Sequence, residues 1–108
     1  MKNKQYNSDY NKYFIKEPNG DVTLVCTQFS KSGNLTAFSN YSDTVLAKAG
    51  GGGYDKVSTV INDAFNELYD IELGTRGVGI EVTKKKALEH GYNIYSDYDL
   101  INLVYNAR

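Results

Sequence analysis

Apolar residues recur at helical spacing from residue 57 to residue 69, which is the clearest pattern in the chain. Asp55 precedes this stripe and suits a helix N-cap, because its carboxylate can accept hydrogen bonds from first-turn amides. The pattern predicts an amphipathic helix over Asp55–Tyr69 that lies on a sheet. Its apolar face comprises Val57, Val60, Ile61, Ala64, Phe65, Leu68 and Tyr69, and we expect Lys56, Asn62, Asp63, Asn66, Glu67 and Asp70 to contact water.

Short β-prone segments separated by turn residues fill the first half of the chain. Pro18 and Gly20 suit the corners of a turn, so the residues around them predict a hairpin. The second strand carries apolar residues on both faces, so either Leu24 or Val25 faces inward, packed with Val45 against the helix. The predicted strands cover 13–16, 22–29, 35–40 and 44–49, with turns at 17–21, 30–34 and 42–43; one bent strand over 35–49 is the alternative.

The second half of the chain predicts more helix than strand. Residues 80–90 indicate a second helix that ends at Gly91, and residues 92–95 indicate a short strand. Ser96 and Asp99 have the spacing of a capping box before residues 100–105, which form either a last short helix or a terminal strand. Together the elements predict an α+β fold, with an antiparallel meander of three or four strands covered by two or three helices. We expect one domain over 1–108, with 1–9 as a flexible tail.

Charge and composition narrow the class of protein. The formal net charge is −1, whereas nonspecific duplex-binding proteins are usually basic. No apolar run is long enough to cross a bilayer, Met1–Asn11 lacks a hydrophobic signal core, and the single Cys26 cannot form an internal disulfide. We expect a cytoplasmic protein. The ten tyrosines reflect either AT-rich codons or a contact surface.

Four consecutive glycines, Gly50–Gly53, connect the last predicted strand of the first half to the best helix. We expect a positive φ at Gly51 or Gly53, because glycine adopts this conformation without steric cost. A strand, a glycine-rich turn and a helix N-terminus can bind a phosphate, but Asp55 precedes Lys56 where a Walker loop needs glycine. The glycines therefore serve either a close packing contact or a nucleotide site.

Few other residues suggest chemistry. Cys26 and His90 are too far apart in sequence to indicate a zinc site, and a cysteine in a β-rich run is usually buried and inert. The run Lys84–Lys86 is short and predicts a solvated helix face. We expect no metal, no cofactor and no enzymatic activity.

Acidic residues recur along one side of the predicted helix. Asp63, Glu67 and Asp70 lie on neighbouring helical turns, in an otherwise balanced chain. This acidic strip is either an ordinary solvated face or a contact for a protein partner with a basic surface.

The segment Thr44–Leu68 has Gly51, Gly53, Tyr54, Asp55 and Lys56 between a predicted strand and an amphipathic helix. With this motif it resembles small uncharacterised proteins of phages and mobile elements of low-GC bacteria. The resemblance covers about a quarter of the chain and names no activity. It implies a phage or mobile-element accessory protein that acts in the cytoplasm of a bacterial host cell. Many such small proteins inhibit host-defence systems, CRISPR nucleases included.

Two functions are compatible with these patterns. The first is a non-enzymatic binding protein that inhibits a host-defence system through a protein partner. The alternative is a nucleic-acid or nucleotide-binding module that uses the glycine loop.

Overall fold

The computed structural model describes residues 10–39, 44–50 and 55–106, and it has an α+β fold. Its five strands form one antiparallel sheet in the order β4-β3-β2-β1-β5. The fold class is as predicted, but the sheet has one strand more than the expected three or four, because β5 pairs with the free edge of β1. The elements are β1 (Tyr10–Lys16), β2 (Val22–Phe29), β3 (Leu35–Ser39), β4 (Val45–Ala49), α1 (Lys56–Tyr69), α2 (Ile80–Glu89), β5 (Asn93–Ser96) and α3 (Asp97–Asn106).

The first two predicted turns are confirmed. Between β1 and β2 the amide of Glu17 donates to the carbonyl of Asp21 at 2.8 Å, and Gly20 has φ 93°. Between β2 and β3 the corresponding glycine, Gly33, has φ 89°. In both turns glycine occupies a conformation that side chains disfavour. The tail predicted at 1–9 and the turn predicted at 42–43 lie outside the described residues.

Helix packing decides which face of β2 points inward. Val25 is fully buried in the core with Ile15, Leu35 and Ile94, which lie on the same sheet face. Leu24 lies on the opposite face, directly across from Phe14 of β1. Val25 is therefore the inward residue, an alternative that the sequence pattern left open.

Phe65 of α1 is the largest fully buried side chain among the described residues. It is fully buried, and its ring centroid lies 4.8 Å from those of Tyr69 and Tyr92. Ile61 is also buried, as predicted, but Leu68 is only half-buried. Val45 is 53% exposed, so its predicted place in the core is wrong. It begins β4 directly opposite Phe38, beside a register shift in the pairing with β3, and Phe38 lies on the sheet face away from the helices.

Asn62 is the main correction on α1. It was expected in solvent, but its side chain is completely buried. Its Oδ1 accepts hydrogen bonds from the amide (2.9 Å) and hydroxyl (3.2 Å) of Thr75, and its Nδ2 donates to Glu72 at 3.2 Å. A buried amide is tolerated because its polar atoms are paired. Asn62 thereby fastens the loop after α1 to the helix.

The predicted ends of the later helices are confirmed. Gly91 follows α2 with φ 88°, and a Cβ there would lie 3.3 Å from the ring of Pro18. Residues 97–106 form a helix, not the alternative terminal strand. The fold thus places α1 and α2 on one sheet face and α3 directly after the edge strand β5.

Candidate functional site

The residues at the start of α1 form a structural cap. The Oδ1 of Asp55 accepts a hydrogen bond from the amide of Ser58 at 2.9 Å, which confirms the predicted N-cap. The carbonyl of Asp55 accepts a further bond from the hydroxyl of Thr59 at 2.9 Å. A carboxylate at this position would repel a phosphate, so the α1 N-terminus is a poor anion site.

Lys56 ties the end of the glycine loop to the β2–β3 turn. Its ammonium group donates to the carbonyl of Gly33 at 2.7 Å. On the other side of the loop, a Cβ added to Gly50 would lie 2.8 Å from Oδ1 of Asn34. Both contacts lie within the chain, so they account for Lys56 and Gly50 at these positions without a ligand. The other predicted site residues of this loop, Gly51, Gly53 and Tyr54, lie outside the described residues.

The acidic strip is not one continuous site with the glycine loop. Asp63 pairs with Arg76 at 3.1 Å, which neutralises part of its charge. Asp70 ends the helix with φ 57° and its amide donates to the carbonyl of Asn66. Glu67 and Asp70 are exposed, but Asp70 is about 21 Å from the start of the helix at 1.5 Å per residue.

Helix α3 is anchored at its start by reciprocal hydrogen bonds. The amide of Ser96 donates to Oδ2 of Asp99 at 2.9 Å, and the amide of Asp99 donates to Oγ of Ser96 at 3.1 Å. This is the predicted capping box, with aspartate in the position that is usually glutamate or glutamine. It places the first turn of α3 rigidly beside the edge of the sheet.

An ion pair joins α3 to α2. Lys84 donates to Asp99 at 2.5 Å, so the prediction that Lys84 belongs to a solvated face is wrong. Burial alone would raise the pKa of Asp99, but hydrogen bonds from Lys84 and Ser96 hold it below its ordinary value. Burial would lower the pKa of Lys84, yet the bond to Asp99 raises it above its ordinary value. Each partner thus favours the charged form of the other.

The start of α3 and the start of α1 lie near the same tyrosine. Tyr13 of β1 is buried, and desolvation raises the pKa of its hydroxyl to about 12. The charges of Asp55, Asp99 and Asp97 act in the same direction. The charges of Asp55, just before α1, and of Asp99, near the start of α3, therefore both act on Tyr13.

The outer side of α3 is an exposed apolar surface. Tyr98, Ile101 and Val104 are 71%, 63% and 68% exposed, and their three-residue spacing places them on one side of the helix. We call these three residues the α3 stripe. Within the described residues, half of the large hydrophobic side chains that are exposed belong to this ten-residue helix, none of whose residues is buried.

Sequence reasoning missed the α3 stripe, although a signal was present. Apolar residues occupy six of the ten positions of α3 and are distributed around the whole helix. A helix at the edge of a small sheet can bury only one side, so such a pattern leaves apolar residues exposed.

Possible catalytic and metal-binding groups do not converge in the described part of the chain. Cys26 is buried on the sheet face opposite to α2, whereas His90 ends α2. Among residues 10–39, 44–50 and 55–106, no group of three histidine, cysteine, aspartate or glutamate side chains could hold a metal ion. A cavity of about 330 Å³ beside α3 is lined by Lys84, Ile94, Tyr95, Asp99, Asn102, Leu103 and Asn106.

Comparison of the chain with protein-family models, with curated proteins and with solved structures finds no match. No helix in the described ranges is both long and apolar enough to span a bilayer.

Proposed function

We propose that the chain is a non-enzymatic binding protein and that its protein partner packs on the α3 stripe. The observation that carries this proposal is the exposure of Tyr98, Ile101 and Val104 on one side of a single helix. Tyrosine is enriched in protein interfaces and often dominates their binding energy, and adjoining aliphatic residues exclude water around it.

The hydrogen bonds that hold α3 to its neighbours indicate that the α3 stripe is already ordered before a partner binds. The capping box and the Lys84–Asp99 pair hold the first turn of the helix against α2 and β5. A surface that is already ordered loses less conformational entropy when a partner binds. The α3 stripe is therefore suited to a rigid contact.

Charge favours a partner with a basic rim. Helix α3 contains Asp97 and Asp99 and no lysine or arginine; Asp97 is exposed, and Asp99 is paired with Lys84. A second copy of α3 would supply no complementary cation, so we propose a different protein. A basic rim would accelerate association at low salt.

The resemblance of Thr44–Leu68 to phage and mobile-element proteins suggests where to look for this partner. We propose a bacterial host-defence protein, such as a CRISPR nuclease, as the first candidate class. The support for this narrower proposal is that resemblance alone.

The proposal is tested by matched variants in capture and affinity measurements. Ile101→Ser removes the centre of the α3 stripe, and Leu88→Ser on α2 is the control because Leu88 is similarly exposed at 57%. Purified nucleases and a nuclease-treated low-GC bacterial lysate serve as partner sources. We expect a partner that binds the wild type and Leu88→Ser chains equally and binds Ile101→Ser at least ~10-fold more weakly, as for an interface hot spot.

Three results would count against the proposal. The first is that both variants weaken partner binding equally, and the second is that Ile101→Ser folds and still binds the partner as the wild type does. The third is that light scattering shows a stable dimer for the wild type and a monomer for Ile101→Ser. The last result would assign the α3 stripe to a second copy of the chain.

A further inference from the structure

The sheet face opposite to α1 and α2 has an unusual composition. Phe14 of β1 lies directly between Leu24 of β2 and Tyr95 of β5, and all three are half-buried. None of them belongs to the core beneath the helices. We call this surface the open face. Its described side chains include Lys12, Phe14, Lys16, Val22, Leu24, Gln28, Thr36, Phe38, Val45, Lys48, Asn93 and Tyr95, together with Cys26, which is completely buried.

Every charged side chain in the five strands is a lysine. Lys12, Lys16 and Lys48 all lie on the open face, and no strand contains an aspartate or glutamate. The described acids lie in the helices and in the turns and connections between elements. The net charge of −1 therefore conceals a basic sheet face and an acidic helical side, so it does not argue against binding of a polyanion.

A cavity of about 480 Å³ lies at one end of the open face, at the β2–β3 turn. Its lining includes the cation Lys31, the hydrogen-bonding side chains Gln28 and Thr36, and the ring of Phe38. A phosphate and a base edge could each find a complementary group there, at Lys31 and at Gln28 or Thr36.

We propose that the open face binds single-stranded nucleic acid. The phosphates pair with Lys12, Lys16 and Lys48, and unstacked bases pack on the rings of Phe14 and Tyr95. Aromatic side chains on a sheet surrounded by cations form a general platform for single strands, because every base has a face that can stack. A duplex keeps its bases stacked inside and cannot use these rings.

The dimensions of the face set the length of the probe. Lys16 and Lys48 are three strands and six residues apart, which corresponds to roughly 25 Å at standard sheet spacings. Single-strand sites on comparable β-rich domains cover roughly 4–16 nucleotides. Fluorescently labelled dT12 and rU12 are suitable probes, and a hairpin duplex of equal charge is the comparison.

Fluorescence anisotropy of the full chain tests the proposal. We expect saturable binding of dT12 or rU12, tighter than binding of the duplex, with the two probes distinguishing DNA from RNA. Three lysine contacts predict a slope of about −2 in log K against log salt, which is a roughly 20-fold loss of affinity between 50 and 200 mM.

Two pairs of variants separate the open face from other surfaces. The double variant Lys16→Gln with Lys48→Gln should reduce the salt slope by about 1.4, whereas Lys85→Gln with Lys86→Gln on α2 has the same charge change and should leave it unchanged. Phe14→Leu should weaken binding roughly 5- to 150-fold through lost stacking, and Tyr98→Leu on α3 should not.

Amide chemical shifts of the wild type, measured with and without dT12, test the proposal even if a variant unfolds. Binding of dT12 should move the shifts of β1, β2, β4 and β5 and leave the exposed side of α1 unmoved. The proposal is overturned if neither probe binds at 50 mM salt, if the duplex binds more tightly, or if both lysine pairs weaken binding equally. It is also overturned if the shifts move only outside the sheet.

Discussion

Asp99 is the residue on which the presentation of the α3 stripe depends most directly. Asp99→Ala removes the acceptor for the amide of Ser96 and the partner of the Lys84 ammonium. Because no residue of α3 is buried, these bonds contribute a large share of what attaches the helix. We expect the variant to destabilise α3 and thereby to weaken the binding of any partner that packs on Tyr98 and Ile101.

The magnitude follows from the two lost interactions. Losing half of a capping box costs about 0.5–1 kcal/mol. A charge-assisted hydrogen bond contributes about 1.5–3 kcal/mol, but Lys84 and Asp99 are 20% and 30% exposed, so solvent screening reduces its value to about 1 kcal/mol. The sum is about 2 kcal/mol. For a chain of this length that corresponds to a fall in melting temperature of about 9 °C.

Hydrogen exchange and thermal melting measure the effect. A loss of 2 kcal/mol should make the amides of α3 exchange about 30-fold faster in Asp99→Ala. Glu81→Ala is the matched control, because Glu81 also contacts Lys84 but at 3.4 Å and with 79% of its side chain exposed. The control should change stability by less than about 0.5 kcal/mol. Equal effects of the two variants, or less than a threefold change in α3 exchange, would refute the reasoning.

The same pair predicts a pH dependence with a definite sign. The pKa of Asp99 is lowered on folding, so its contribution is complete above the ordinary value of 3.8 and is lost as the pH falls through the folded pKa. The pKa of Lys84 is raised, so its contribution is complete below 10.5 and is lost as the pH rises through the folded pKa. The stability difference between the wild type and Asp99→Ala should be constant near neutral pH and shrink in acid.

Three further variants test the core and the caps by urea denaturation. Phe65→Ala should lower the free energy of unfolding by about 3–5 kcal/mol because it empties a fully buried site; an unmoved midpoint would contradict this packing. Asn62→Ala should cost about 2–4 kcal/mol by leaving buried partners unpaired, whereas exposed Asn66→Ala should cost less than about 0.5 kcal/mol. Asp55→Ala should cost about 1 kcal/mol as a lost cap, and an unchanged stability would show that its bond to Ser58 contributes nothing.

The sequence alone determined the local elements, because their signals lie within a few residues of each other. The stripe through Ile61 and Phe65 specified α1 and its buried side, and Asp55 specified where the helix begins. The glycines at 20, 33 and 91 have the positive φ values that their turns and helix end require. Such features depend on spacing and on the geometry of single residues, so they can be predicted before any tertiary contact is known.

Only the tertiary structure decided features that depend on distant segments. Val25 rather than Leu24 faces inward because α1 packs on that side of a strand with two apolar faces. Asn62 is buried because the loop at Thr75 folds back over it, and Lys84 is half-buried because α3 brings Asp99 beside it. No local sequence pattern encodes these contacts between distant segments.

The two proposed binding surfaces also depend on tertiary structure. The α3 stripe is exposed because α3 packs mainly on β5 and β1 at one edge of the sheet, where none of its residues is buried. The lysines of the open face form one surface because alternation in paired strands directs residues 12, 16 and 48 to the same side. Composition and net charge count these residues but do not show how they are arranged. Strand pairing and helix docking determine which of them share a surface.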